Sequence, residues 1–223
     1  CFKINNGSEC WNLQTEDSFT LSGIKYSLII INDMVVFSNS IGDITAVDEQ
    51  TGLILWQLPT QSSNIVNETY NFKNSKLVFD GNSIYFSNNK NEFYSIDAKT
   101  GTTNWTNEIN STITPIIINN LIFTVSEEGY LYVMEKNEGN IIRISNLFTS
   151  YKEKIRKNLK PIGFAIGNLN LYLTNSNGDI IVSDLNSGSI HNKKKIGNNL
   201  ISRPFIYNNS LFVVRNGSIV KYN

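Results

Sequence analysis

Ile44-Thr-Ala-Val-Asp-Glu-Gln-Thr-Gly-Leu-Ile-Leu-Trp56 and Phe93-Tyr-Ser-Ile-Asp-Ala-Lys-Thr-Gly-Thr-Thr-Asn-Trp105 are two copies of one pattern. Each reads as an apolar run, an acidic residue (Asp48, Asp97), a short turn closed by glycine (Gly52, Gly101) and a second run ending in tryptophan (Trp56, Trp105). β-Branched and aromatic residues suit pleated strands. A turn of the Asp-x-x-Thr-Gly kind ends where φ is positive, a conformation that glycine adopts at least cost. The acidic side chain is expected to accept N–H groups of its own turn. Two weaker copies follow, Leu131–Gly139 and Ile181–Gly188, the last with Asp184 at the acidic position.

Upstream of these units lie further hairpin signals, at Leu77–Phe86, Ile116–Phe123, Phe164–Tyr172 and Phe205–Phe212. Asp-Gly and Asn-Asn between apolar runs favour tight turns. Two hairpins per period make a four-stranded unit, the blade of a propeller. The expected fold is therefore all-β, a β-propeller of four-stranded antiparallel blades, with about five blades' worth in residues 1–223 as a single domain.

The turn glycines fall at 52, 101, 139 and 188, at intervals of 49, 38 and 49 residues. The longer intervals predict insertions near Thr60–Asn74 and Phe148–Lys160. The second is basic and suits a short helix, either as a solvated loop or as a partner-contacting loop carrying Tyr151, Lys154, Arg156 and Lys157. Gly7 stands four residues before Trp11, as Gly52 does before Trp56, so the chain opens inside a blade. Its last segment supplies second and third strands. First and last segments would complete one blade, giving either a closed ring or an arc of a larger ring. The arc, incomplete at its N-terminal end, is preferred, because rings with this repeat usually need more than five blades.

Composition narrows the function classes. Lys+Arg number 19 against 19 Asp+Glu, so the basic excess that phosphate neutralisation demands of a nucleic-acid binder is missing overall. No apolar run approaches the roughly 18 residues that span a bilayer. With His191 as the sole histidine, His-based triads and H-E-x-x-H zinc sites have no basis. His191 itself reads as a surface residue. Asn175–Asp179 has a loose look of a calcium loop but lacks the length and distal glutamate of an EF-hand, so a hairpin turn is expected. Cys1 and Cys10 are open to lipidation of Cys1, a mutual disulfide, or buried free thiols, the last being preferred.

The run Tyr-Ser-Ile-Asp-Ala-Lys-Thr-Gly-x-x-x-Trp resembles the PQQ-like (quinoprotein-type) β-propeller repeat family, over essentially the whole chain. The resemblance implies that Trp11, Trp56 and Trp105 pack between neighbouring blades, and with the turn residues Gly7, Asp48, Gly52, Asp97, Gly101, Gly139, Asp184 and Gly188 they are read as structural repeat positions. Arg143 and Asn192 stand where the good copies have tryptophan, so the later blades are expected to be joined less regularly. The family holds quinoprotein dehydrogenases, which use pyrroloquinoline quinone and calcium, and non-enzymatic envelope scaffolds of the BamB type. The dehydrogenases' adjacent cysteine pair has no counterpart in Cys1 and Cys10. The implied role is a protein-binding scaffold without a cofactor, in the periplasm or cell envelope. Its implied partner is an outer-membrane assembly complex, and a preceding segment could tether it to the membrane. A fragment of a quinoprotein dehydrogenase is the alternative.

Overall fold

The computed structural model describes residues 1–15, 26–60, 72–198 and 201–222. Residues 61–71 of the insertion expected at Thr60–Asn74 thus lie outside the described residues. The chain divides into two compact units, Cys1–Thr112 and Ile113–Asn223.

Among the described residues, the N-terminal unit holds two antiparallel sheets. One is β1 (Leu28–Ile31), β2 (Met34–Ser38), β3 (Ile44–Asp48) and β4 (Ile54–Leu58); the other is β5 (Val78–Phe79), β6 (Ser83–Ser87), β7 (Phe93–Asp97) and β8 (Thr103–Asn107). Before them, Phe2 pairs with Glu9 across a turn in which the Lys3 N–H donates to Ser8 O and the Gly7 N–H to Lys3 O. The Asp48 turn has the same pair of bonds, Asp48 N–H to Leu53 O and Gly52 N–H to Asp48 O. Cys1–Trp11 is therefore a further copy of the repeat turn, with Lys3 at the acidic position.

Among the described residues, the C-terminal unit holds three sheets and one short helix. β9 (Ile116–Ile118), β10 (Leu121–Val125), β11 (Tyr130–Glu135) and β12 (Ile141–Asn146) form the first; α1 (Glu153–Arg156) follows. β13 (Pro161–Gly167), β14 (Asn170–Asn175), β15 (Asp179–Asp184) and β16 (Ile190–Lys195) form the second, and β17 (Phe205–Tyr207), β18 (Ser210–Arg215) and β19 (Ser218–Tyr222) the third. In every sheet the strands are neighbours in chain order, the up-and-down meander of a propeller blade. The all-β, bladed architecture read from the repeats is the one observed.

Apolar side chains between successive sheets make the cores. In the N-terminal unit Ile31, Val36, Ile44, Trp56, Leu77, Ile84, Phe86 and Ile96 form one buried cluster. In the C-terminal unit Phe123, Val125, Leu131, Phe148, Tyr151, Leu159, Phe164, Leu171 and Ile181 form another. At 25–30 cal/mol per Å² of apolar surface removed from water, such sheet-on-sheet burial is the main favourable term in folding.

The acidic turn residues act locally, as their position suggests. Asp97 Oδ1 accepts the Lys99 and Thr100 N–H groups at 3.0 and 2.8 Å and the Thr100 hydroxyl at 2.8 Å. Asp48 and Asp184 repeat this with Thr51 and Ser187, and Glu135 takes the N–H groups of Asn137 and Glu138. These bonds favour the charged form. For Asp48 and Asp97 the threonine hydroxyl contributes most, and for Asp184 and Glu135 the turn N–H groups do; each pKa is held below its ordinary value of 3.8 (Asp) or 4.5 (Glu). A carboxylate with a depressed folded pKa stabilises the protein fully above its unfolded pKa and loses that contribution as pH falls through the folded value. Stability is therefore expected to decline as pH drops below about 4. Asp97→Asn keeps an acceptor oxygen but cannot titrate. It should flatten that acid limb in urea unfolding followed across pH, and an unchanged limb would contradict the assignment.

Candidate functional site

The repeat positions meet at joints between neighbouring blades. In four sheets the last strand carries one extra residue, Leu55, Asn104, Ile142 or His191, just before the tryptophan position. Such a bulge bends the strand and re-aims the next side chain. Trp56 accordingly reaches across to the turn of the following blade, where its Nε1–H donates to Ala98 O at 3.2 Å. Its ring lies over Gly101: a Cβ there would stand 2.5 Å from Trp56 Cε3, and the glycine has φ +73°. Trp11 makes the same joint with Glu49 O at 2.8 Å and with Gly52, whose Cβ would meet its ring at 2.5 Å. Trp105 stacks on Phe93 with ring centroids 5.8 Å apart and planes 10° from parallel.

Arg143 changes the expected picture. The sequence places it where tryptophan stands in the good copies, which suggests a less regular joint. Instead the Arg143 Nη2–H donates to Leu185 O at 2.7 Å. Leu185 directly follows Asp184, as Ala98 follows Asp97 and Glu49 follows Asp48, so the acceptor is the equivalent carbonyl. The guanidinium replaces the indole as donor, and Gly188 again lies beneath it, with an added Cβ 3.3 Å from Arg143 Nε and 2.0 Å from Ser145 Oγ. Burial pulls the Arg143 pKa down, and the nearby Asp184 charge opposes that shift. Arg143→Ala removes a charge-assisted bond and the packed stem of the side chain. It should cost about 1.5–3 kcal/mol in chemical denaturation, whereas Asn192→Ala, at an exposed position, should stay within about 0.5 kcal/mol.

The insertion at Phe148–Lys160 is a folded element tied into the core. Leu147 and Phe148 are fully buried, and Tyr151 and Leu159 nearly so. Tyr151, expected on the contact surface, faces inward: its hydroxyl donates to Asp179 Oδ2 at 2.6 Å and accepts from Asn175 Nδ2 at 2.8 Å. Burial is the main reason that its phenol pKa is pushed up, so it remains a neutral donor. The Phe148 ring meets it edge-on at 5.9 Å, and Lys193 Nζ sits 4.2 Å above its centroid. Lys154 and Lys157 point into solvent and Arg156 is half-buried. Lys157 pairs with Glu153 at 3.3 Å and Lys160 with Glu127 at 3.6 Å. An open groove of about 430 Å³ runs between the β10–β11 turn and α1, lined by Glu127, Glu128, Tyr130, Arg156, Lys157 and Lys160 among others.

The remaining candidates have local roles. His191 is a bulge residue, exposed, with Nε2 4.0 Å from Asp184 Oδ2. Asn175 Oδ1 accepts the Asn177 and Asp179 N–H groups, which makes Asn175–Asp179 the β14–β15 hairpin turn. Cys1 and Cys10 are free thiols but exposed, not buried as expected: they lie on the short turn ladder in which the Cys10 N–H donates to Cys1 O at 2.9 Å. Among the described residues no group of three or more His, Cys, Asp or Glu side chains is placed to hold a metal ion. Nor is any helix among them long and apolar enough to cross a membrane.

Net charge is not evenly spread. Residues 1–112 carry 6 Lys and 12 Asp or Glu, whereas residues 113–223 carry 13 Lys or Arg and 7 Asp or Glu. The zero total conceals formal charges of −6 and +6.

Known structures share this fold. The crystal structure of BamB from Moraxella catarrhalis superposes with a TM-score of 0.72 at 17% identity, covering 99% of this chain and 64% of that one. The Cps50 (Swd1) β-propeller domain of Myceliophteria thermophila gives 0.62 at 12% identity, covering 86% of this chain and 62% of that one. The computationally designed Ika8 protein gives 0.57 at 13% identity, covering 88% and 70%. The chain thus spans less than two thirds of the length of the first two. No curated protein matches it in sequence. A family model does, however, matching residues 2–145. With blades, joints and model in agreement, the chain belongs to the PQQ-like propeller family described as outer membrane protein assembly factor BamB.

Proposed function

We propose that this chain is part of a non-enzymatic protein-binding scaffold of the bacterial cell envelope, acting like BamB in the assembly of outer-membrane β-barrel proteins. The observation that carries this reading is the family match over residues 2–145. The use of the repeat tryptophans, glycines and acids within turns and joints supports it. In this reading residues 1–223 form one propeller domain, whose rigid blades hold insertions such as Tyr151–Lys160 for a partner. Deleting the gene of the parent protein in its bacterial host should lower the amount of folded β-barrel protein in the outer membrane, and unchanged levels would refute the assignment. Adding pyrroloquinoline quinone and calcium to the purified protein should give neither cofactor absorbance nor dye-linked alcohol oxidation. A clear signal in that assay would favour the dehydrogenase class instead.

A further inference from the structure

Eight of the thirteen basic residues of the C-terminal unit fall in two short segments, 152–160 and 193–195. They are far apart in sequence, and Tyr151 brings them together. Lys193 Nζ lies 4.2 Å from the Tyr151 ring centroid and 3.3 Å from Ser150 O. Lys195 pairs across the ladder with Asp179, the carboxylate that accepts the Tyr151 hydroxyl, and its Nζ donates to Asn177 O. Lys160 donates its N–H to Ser176 Oγ in the same β14–β15 turn. The insertion and the end of β16 therefore form one basic surface around a buried tyrosine, with Lys154, Lys157 and Lys193 exposed.

From this geometry we infer that the surface is a docking site for an extended acidic segment of a partner protein. The inference rests on the scaffold reading above and gives its partner a chemistry. Charge complementarity supplies the attraction and steers encounter. The surroundings choose a polypeptide over other anions. Glu127, Glu128 and Glu153 share the groove with Arg156, Lys157 and Lys160, and they repel an unbroken array of phosphates, whether of a nucleic acid or of a bilayer. A peptide carries its carboxylates at intervals and has neutral backbone and apolar groups between them. The site has apolar contacts as well, since Tyr130, which lines the groove, and Ile155, on α1 beside it, are 38% and 45% exposed.

The test uses the 223-residue chain and a fluorescein-labelled peptide of alternating glutamate with serine and leucine, titrated by fluorescence anisotropy at low salt. Lys154→Glu combined with Lys157→Glu should weaken binding about 10-fold or more. Lys193→Gln combined with Lys195→Gln should weaken it about 3-fold. Lys73→Glu combined with Lys99→Glu, in the N-terminal unit, is the control and should change nothing. Binding should weaken as salt rises, because exposed charges are screened. Far-UV circular dichroism and thermal melts verify that each variant is folded. Equal losses in the control and the patch variants would overturn the inference. So would tighter patch-dependent binding to phosphatidylglycerol vesicles or to a single-stranded oligonucleotide than to the peptide, or patch-dependent self-association in sedimentation. Unchanged levels of outer-membrane β-barrel protein in the deletion strain, with peptide binding intact, would refute the scaffold reading but leave the docking site standing.

Discussion

Trp56→Ala is expected to destabilise the N-terminal unit by about 3–5 kcal/mol, the range for truncating a buried large aromatic. The side chain is only 8% exposed and belongs to the cluster formed with Ile31, Val36, Ile84 and Phe86. Truncation opens a cavity at the joint, takes the donor from Ala98 O and exposes Gly101. Trp56→Phe keeps most of the apolar area and loses the N–H, so about 1–2 kcal/mol should be lost. For a chain of this size, the alanine variant should melt roughly 10 °C lower. Urea unfolding followed by far-UV circular dichroism measures both. An alanine variant within 1 kcal/mol of the parent would show that the joint is not a structural tie.

Tyr151→Ala should be nearly as costly, at about 3–4 kcal/mol, because it empties a core position and strips a buried carboxylate of a donor. Asp179 is 5% exposed and accepts hydrogen bonds from the Tyr151 hydroxyl and from Asn177 Nδ2 at 2.9 Å. Tyr151→Phe separates the two contributions: the ring still packs on Phe148, and only the hydroxyl is lost, with its bonds to Asp179 Oδ2 and from Asn175 Nδ2, at about 1–3 kcal/mol. Trypsin gives an independent readout, since Lys152, Lys154, Arg156 and Lys157 follow the anchor directly. Cleavage there should accelerate strongly in the alanine variant and modestly in the phenylalanine variant. Unchanged cleavage in both would mean that the insertion is held by something other than Tyr151.

What the sequence revealed and what it concealed follow from the range of each interaction. The turns at Asp48, Asp97 and Asp184 were legible because donor and acceptor lie within three residues. The four-stranded blades were legible because apolar runs and turn residues alternate along the chain. The bulge at Leu55, Asn104, Ile142 and His191 was not, since an extra residue is defined only by the strand opposite. Nor was the joint of Arg143, whose acceptor is a main-chain carbonyl 42 residues away and carries no mark of its own. Tyr151 misled for a related reason. Among lysines and glutamates a tyrosine reads as solvated, and its partner Asp179 comes 28 residues later. The basic surface was hidden twice, by a net charge of zero and by the separation of its two segments. Only the unit boundary and the Lys193 contact bring it into view.

The joint also bears on how such chains drift. A carbonyl oxygen is supplied by every residue type, so the accepting position of the joint places no demand on its side chain, and only the turn glycine beneath the donor is fixed. The donating side accepts an indole or a guanidinium alike. Repeats can thus lose their signature while their stacking is inherited unchanged. The family model stops at residue 145, two positions beyond Arg143, whereas the same joint is made there with a different donor. Erosion of the motif is then a poor measure of where a propeller ends. A search for blades in diverged relatives gains more from asking whether a long donor stands four residues after the turn glycine than from asking for tryptophan.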